Sequence, residues 1–584
     1  MSSKVAELQN LVTRENAAVW VSNLWDKFNM QRKGKIEEWK ELRNYLFATD
    51  TTTTSNHALP WKNTVTVPKL TQIRDNLHSN YLAALFPNDR WLRWEGYGKD
   101  DVTKEKREAI QGYMSNKTRE GGFRTSTSRL LYDFIDYGNA FVTVDFEDRK
   151  KVLPTGETVA GYVGPVARRI SPMDVVFDPT ADNFLDTFKI VRSIVTVGEL
   201  KKMSKDNPEN SKLFDALQKR TALAAKMGGY KVEDVDKALG FAVDGFGNIQ
   251  EYYQSNYVEL LTFYGDYYDM ETDTLHEQQK IVIADRSYIL EQDDIASWLG
   301  HVPIYHVGWR LRPDNLWAMG PLDNLVGLQY RLDHLENLKD DAMDLLVHPP
   351  LKVIGEVEEF VWGPGVEIHI DENGDVQELG KGAQGVTAAS MEINAIEQRM
   401  ELYAGAPREA MGIRSPGEKT ALEVQTLDNA ASRIFQEKIT QFEIELMERV
   451  LNAMLEVSVR EMRGTDLIRV MDDTLKIAKF IEITKEDITA SGKLRPIGAR
   501  HFAKKAQDLQ NILGVTNSGL SQLLAPHTSG VNLARFVEDV TGTSEYEIFQ
   551  PNIAISEQQE TQRLLNQAEE DLEVEAATPV EEGF

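Results

Sequence analysis

The chain contains no cysteine. That excludes disulfides, thiolate metal sites and thiol nucleophiles together, and it fits assembly in a reducing cytosol. No run approaches the ~18 apolar residues of a membrane span, and the opening MSSKVAELQNLVTREN carries no apolar signal core. A soluble protein made in the cytoplasm, with no membrane partner, is expected. Positive charge is scarce as well: 65 Lys and Arg stand against 92 Asp and Glu, a net charge of −27. A protein that gripped nucleic acid over its whole surface would need the opposite balance.

Catalytic constellations are also missing. His301 and His306 flank VPIY without an H-E-x-x-H arrangement and read as isolated structural histidines; no G-x-S-x-G elbow accompanies His276. The nearest approach to a nucleotide site is GIRSPGEKTALEVQ, residues 412 to 425. Gly412 and Gly417 have P-loop spacing, but Glu418 intervenes before Lys419 and Thr420 and sets a carboxylate where phosphates would lie. The preceding IEQRMELYAGAPREAM has helical spacing rather than that of a buried strand. We expect no enzyme and no cofactor. Thr420 with Glu423 forms a capping box, so this stretch reads as a loop that starts a helix.

What is present is an alternation of helical and strand patterns. Residues 1 to about 50 have helical spacing (Val19, Leu24, Phe28, Trp39, Leu42, Leu46) and stop at the polar TDTTTTSNHALP, read as a loop or arm. PKLTQIRDNLHSNYLAALFP predicts a helix with Leu70, Ile73, Leu77, Tyr81 and Leu85 on one buried face. After a charged helix at 104 to 118, SRLLYDFIDYGNAFVTVDFE predicts a helix ending near Gly138 and a strand through Ala140, Val142, Val144 and Phe146. VGPVARRISPMDVVFDPTADN, YVELLTFYGDYYD and QQKIVIADRSYIL add strands, with two short helices in a polar insertion at 200 to 250. The first half is an α+β body.

The second half changes character. Leu325, Leu328, Leu332, Leu335, Leu338, Ala342 and Leu345 predict one helix from Pro321 to His348. LKVIGEVEEFVWGPGVEIHIDENGDVQELG then gives a small β module with ENGD as a hairpin turn between VEIHI and VQEL, and a helix returns from Ala388 to Ala404. Two helices therefore bracket the module as stalks. Asp333, His334, Glu336, Asp340, Asp341 and Asp344 are metal-ligand types, but the leucines claim the buried stripe and these residues are expected mostly on the solvated side. From Ala421 to Arg463 no Pro or Gly interrupts a very long helix, strands return at DLIRVMDDTLKIAKFIEIT and ITASGKLRPIG, and a helical stretch follows from 499 to about 540. From Glu557 to Phe584 nine acids face one base, Arg563, a composition that repels itself.

This order resembles the portal (head-to-tail connector) proteins of tailed bacteriophages, in particular the short-tailed type. The residues that carry the resemblance are LLYDFIDYGNAFVTVDFE, RRISPMDVVFDPTAD, VELLTFYGDYYD, WAMGPLDNLVGLQYRLDHLENL and GEKTALEVQTLDNAASRIFQEKITQFEIELMERVL. The resemblance implies a wing of residues 1–319, a stem helix at 320–345, a clip at 346–387, a second stem helix at 388–412, a tunnel loop at 413–420, a long wing helix with returning strands at 421–498, and crown helices with an acidic tail at 499–584. It implies a homo-oligomeric ring, a dodecamer, at one capsid vertex of the virion, assembled in the host cytoplasm. Double-stranded DNA would pass through it without sequence specificity. Its other partners would be the terminase large subunit, the major capsid protein and head-tail adaptor or tail proteins. Arg414, Ser415, Gly417, Glu418 and Lys419 become candidate channel residues. Lys352, Glu358, Glu359, Trp362, His369 and Lys381 become candidate docking residues of the clip. The rival readings are a cytoplasmic coiled-coil scaffold built on residues 421–463 and a P-loop-like NTPase using Lys419.

Overall fold

The computed structural model describes residues 6–8, 14–47, 63, 65–86, 91–98, 103–152, 158–203, 214–215, 257–270, 272–286, 288–295, 297–347, 351–354, 375–378, 384–404, 434, 436–462, 464–471 and 478–497. Backbone contacts divide the chain after Pro496, and the fold below is that of the unit before this point. The expected loop at 49–60, most of the polar insertion at 200–250, and the helices and acidic tail after 499 lie outside the described residues.

The chain opens with β1 (Ala6–Leu8), α1 (Arg14–Gln31), α2 (Lys33–Phe47) and α3 (Lys69–Leu85). Next come β2 (Leu92–Gly96), α4 (Lys104–Glu120), α5 (Phe123–Asp136), β3 (Asn139–Val152) and β4 (Thr158–Ile170). Then follow β5 (Val175–Phe177), β6 (Lys189–Thr196), α6 (Val197–Met203), β7 (Tyr257–Asp269), β8 (Thr274–Ala284) and β9 (Tyr288–Asp294). β10 (Ile304–Gly308), β11 (Arg310–Arg312) and β12 (Asn315–Met319) complete the first half.

β5 to β9 form one antiparallel sheet in sequence order, and β1 joins it parallel to the end of β7. α1 lies on this sheet: Ala18, Val21, Trp25 and Phe28, three and four residues apart, pack with Val176, Ile190, Phe263 and Ile281. A second core joins Trp39 of α2 to Phe141, Phe177, Phe184, Ile304 and Trp317 across the three-stranded sheet β10-β3-β4. Arg32, between α1 and α2, ties the two cores together. Its guanidinium donates to the carbonyls of Pro172 (2.6 Å), Met173 (2.5 Å) and Val175 (2.7 Å), with the rings of Trp25 and Trp317 beside it. Burial and the neighbouring Arg192 push this group down to about 9, so it stays charged at neutral pH. The α3 stripe buries Leu70, Ile73, Leu77, Tyr81 and Leu85 as its spacing predicts. The body is α+β.

In the second half, a 3-10 turn (Asp323–Leu325) leads into α7 (Val326–Val347), which is followed by β13 (Leu351–Ile354), β14 (Asp375–Glu378) and α8 (Gln384–Tyr403). β14 pairs antiparallel with β13, so DVQE partners LKVI; VEIHI, the expected hairpin partner of VQEL, lies outside the described residues. Later the chain is helical at 436–442, widens into a π-helical stretch at Glu443–Glu448, and continues as α9 (Arg449–Glu461). The uninterrupted pattern predicts a regular helix here. The wider turn carries an extra residue, which rotates the following side chains by about 100° around the axis. Asn452 thereby faces Leu494, exchanging two hydrogen bonds with its backbone (2.8 and 3.0 Å). β15 (Asp466–Met471) and β16 (Ala478–Ile483) form a hairpin, and β17 (Gly492–Pro496) pairs with β2, closing the unit across the whole sequence.

Body and second half meet at two glycines. Gly138 has φ +68, and a Cβ there would stand 2.3 Å from the backbone nitrogen of Gly320. The left-handed conformation and the backbone contact each require glycine. Gly138→Ala should therefore lower the unfolding free energy by about 3 kcal/mol or more. Urea denaturation measures this, and an unchanged midpoint would show that the junction accommodates a side chain.

Candidate functional site

The expected channel loop at 413–420, with Arg414, Ser415, Gly417, Glu418 and Lys419, lies outside the described residues, as do Glu358, Glu359, Trp362, His369 and Lys381. Lys352 is described: it is exposed on β13, opposite Gln377 of β14. Lys352 is thus the one proposed site residue that falls within the described residues. What it does show is how the stalk carrying β13 and β14 is built and held.

The stalk is α7 and α8 packed side by side. α7 leads outward to β13, β14 leads back into α8, and Glu401 near the end of α8 lies close to α3, whose start also meets α7. The two helices are thus antiparallel. At its base Asp323 accepts from Lys35 (2.6 Å) and from the Gly320 amide (3.0 Å), fixing the stalk to α2 and to the glycine junction.

Above the base, α7 does something its sequence does not suggest. Gln329, Asp333 and Asn337, four residues apart, are fully buried, and the neighbour that buries them is an extended backbone. Asn337 accepts from the Val65 amide (2.8 Å) and donates to the Val65 carbonyl (3.0 Å). Asp333 Oδ1 accepts from the Val67 amide (2.9 Å) and from Gln329 Nε2 (2.8 Å); Gln329 also donates to the Val67 carbonyl (2.6 Å). Asp341 accepts from the backbone and side chain of Asn63 (3.1 and 2.6 Å). The fit is metrical: four helical residues rise ~6 Å and two extended residues ~6.6 Å, so one side of the helix reads alternate residues of the strap.

The acidic cluster therefore does not sit wholly on the solvated side. Asp333 is buried, whereas Leu338 and Leu345 of the supposed core stripe are 41% and 52% exposed. Amphipathic reasoning assumes that an apolar surface does the burying; an extended backbone instead requires polar partners. Among the described residues no group of three or more His, Asp or Glu is placed to hold a metal ion, and no helix is long and apolar enough to cross a membrane.

α8 completes the clasp. Lys69, at the start of α3, reaches Glu401 (2.7 Å) and Glu397 (3.9 Å), with Lys69 and Glu401 almost wholly enclosed. The strap and α3 thus bind both stalk helices. His306 is likewise internal: its Nε2 bonds Asn139 Oδ1 (3.0 Å), and burial pushes the ring down to about 3, so it is a neutral structural imidazole. No protein-family model matches the chain, and no curated protein matches it either.

Lys69→Met would leave Glu401 enclosed without this cation and should cost about 3 kcal/mol, whereas Lys69→Met with Glu401→Leu should recover most of the loss. Urea midpoints at constant slope measure both. Equal losses in the single and double variants would mean that the ion pair is not what joins α3 to α8.

Proposed function

We propose that the chain is a portal subunit of a short-tailed bacteriophage. On this reading the subunits form a ring at one capsid vertex, the ring conducts double-stranded DNA during packaging and ejection, and it docks first the terminase and then the tail. The observation that carries the reading is the stalk. Beyond the clasp, Met343, Leu345, Leu346 and Val347 of α7 and Met391 of α8 are 41–68% exposed. Among the described residues no third layer covers them, whereas neighbouring stalks in a ring would cover them laterally. The body becomes the wing, α7 and α8 the stem, and β13 with β14 part of the clip. The protein is a conduit and platform in the virion, not an enzyme.

The acidic balance suits this role. A duplex slides through a channel most readily where no deep electrostatic well holds its phosphates, and sparse rings of Arg414 or Lys419 would relieve an otherwise acidic wall. The scaffold reading is less well supported, because the described part of the long helix, residues 436–461, buries most of its apolar side chains within the chain. From Val450 to Val459 its side chains are all buried except that of Asn452, and Ile439, Phe442, Leu446 and Met447 are buried before them. The nucleotide reading rests on Lys419 alone, and a filter-binding assay with ATP tests it directly.

Light scattering on the purified chain, followed by end-on micrographs of the same fraction, tests the ring. Twelve copies of 66.1 kDa make about 793 kDa, and particles of that mass with a central hole are expected. Leu346→Asp with Val347→Asp should break them into small species without moving the urea midpoint, since both side chains are already exposed. A compact dimer that hydrolyses ATP would sink the portal reading. Arg414→Ala with Lys419→Ala should reduce DNA packaging or retention, and unchanged values for both would remove the channel loop from its assigned role.

A further inference from the structure

The ladder between α7 and the strap has one rung unlike the others. Gln329 and Asn337 are amides, which accept from a backbone N–H and donate to a backbone carbonyl. Between them stands Asp333, which when ionised can only accept. Its Oδ1 takes two donors, while its Oδ2 is buried with no hydrogen-bond partner. Among the described residues no cation is bonded to it. The charged and imidazole groups on the helices packed here are Lys69, Arg74, Asp75 and His78 of α3, Glu392, Glu397, Arg399 and Glu401 of α8, and Arg331, His334, Glu336, Lys339, Asp340, Asp341 and Asp344 of α7. Lys69 is committed to Glu401, and Asp341 carries Asn63 at the outer end of the ladder. A carboxylate at Asp333 thus keeps half of its charge in a dry, unpaired position, the arrangement that costs most.

We propose that Asp333 is a proton-operated latch for the strap: neutral, it leaves Asn63 and residues 65–67 docked on α7, and ionised, it favours release of the strap so that the carboxylate meets water. The supporting electrostatics have the right sign. Burial holds this carboxyl up to about 7, against the downward pull of the Val67 and Gln329 hydrogen bonds. The docked state therefore binds the proton more tightly than the released state. Docking strength is complete below the ordinary carboxylate value of about 4 and is lost as pH rises through about 7. The latch belongs to one chain and does not depend on the portal reading. It would loosen the link between α3 and the stalk over a narrow range of pH near neutrality.

Amide hydrogen exchange of the strap in the full chain tests this, after correction for the intrinsic pH dependence of exchange. Protection at Val65 and Val67 should fall about tenfold per pH unit between 5.5 and 7 and level off above 7.5, as one linked proton requires. In Asp333→Asn the profile should be flat. A flat wild-type profile overturns the latch, and so does an undiminished slope in Asp333→Asn. Should that variant leave the strap unprotected at every pH, Asp341→Asn decides. A retained slope there supports Asp333 as the titrating group, and a lost slope assigns the titration to Asp341 and overturns the proposal.

Discussion

A buried backbone group must find a partner, and in this chain side-chain amides repeatedly supply it. Asn139 donates to the Ala318 carbonyl and accepts from the Ala318 amide (3.0 Å each). Asn337 does the same for Val65, and Asn452 for Leu494. Each asparagine imitates the edge of a strand where no strand is available. The partners are 179, 272 and 42 residues apart in the chain, so these three side chains connect segments that the sheets alone leave unconnected. Losing one would leave a buried donor and a buried acceptor together, which is far more costly than losing one exposed hydrogen bond.

This constraint explains why the stalk is firm at its base and open at its end. At the base, backbone contacts at Gly138 and Gly320, the Lys35–Asp323 pair and the Asn139 bridge converge within a few residues of where α7 begins. The strap then accompanies α7 as far as Asp341. Past that point no strap residue is found on α7 among the described residues, and its apolar residues emerge. Support for the helix passes from a polar ladder within the chain to an apolar face uncovered by it. Such a transition fits the proposed reading, in which neighbouring stalks would supply the missing cover.

The sequence makes much of this fold legible. The stripe of α3, the change from helix to strand at Gly138, the helix ending before Pro349, and the strands of the body all follow from spacing and turn residues. Spacing fails where the neighbour is not apolar. Gln329, Asp333 and Asn337 form a regular four-residue series, but a polar series on a helix reads as a solvated face unless the extended segment opposite is known. That segment, two valines alternating with polar residues before Pro68, had the period of a strand without a sheet to join. The π-helical turn has no signal in composition either, since Glu443–Glu448 contains neither Pro nor Gly. Of the proposed site, the stalks were legible as elements; the clasp that orients them depends on contacts more than 250 residues apart in sequence.

The placement of positive charge carries the last step. Many of the basic residues are drawn inward: Arg32 to three carbonyls, Arg74 to Asp136, Arg169 to Asp133, Lys69 to Glu401, Arg192 to Asp174, Arg286 to Glu259. Removing the partner of such a pair is strongly destabilising, so these cations serve cohesion and are not available to an external polyanion. Each pair also withdraws one acid, so the net charge of −27 falls on the residues that remain outside. The five acid–base pairs among these take one charge of each sign out of an unequal total, so pairing by itself raises the acidic proportion of the charges left outside. On the conduit reading proposed above this would be a working condition: a duplex would be repelled over roughly a Debye length, ~8 Å at physiological salt, and guided by confinement, with retention left to the cations that stay outside.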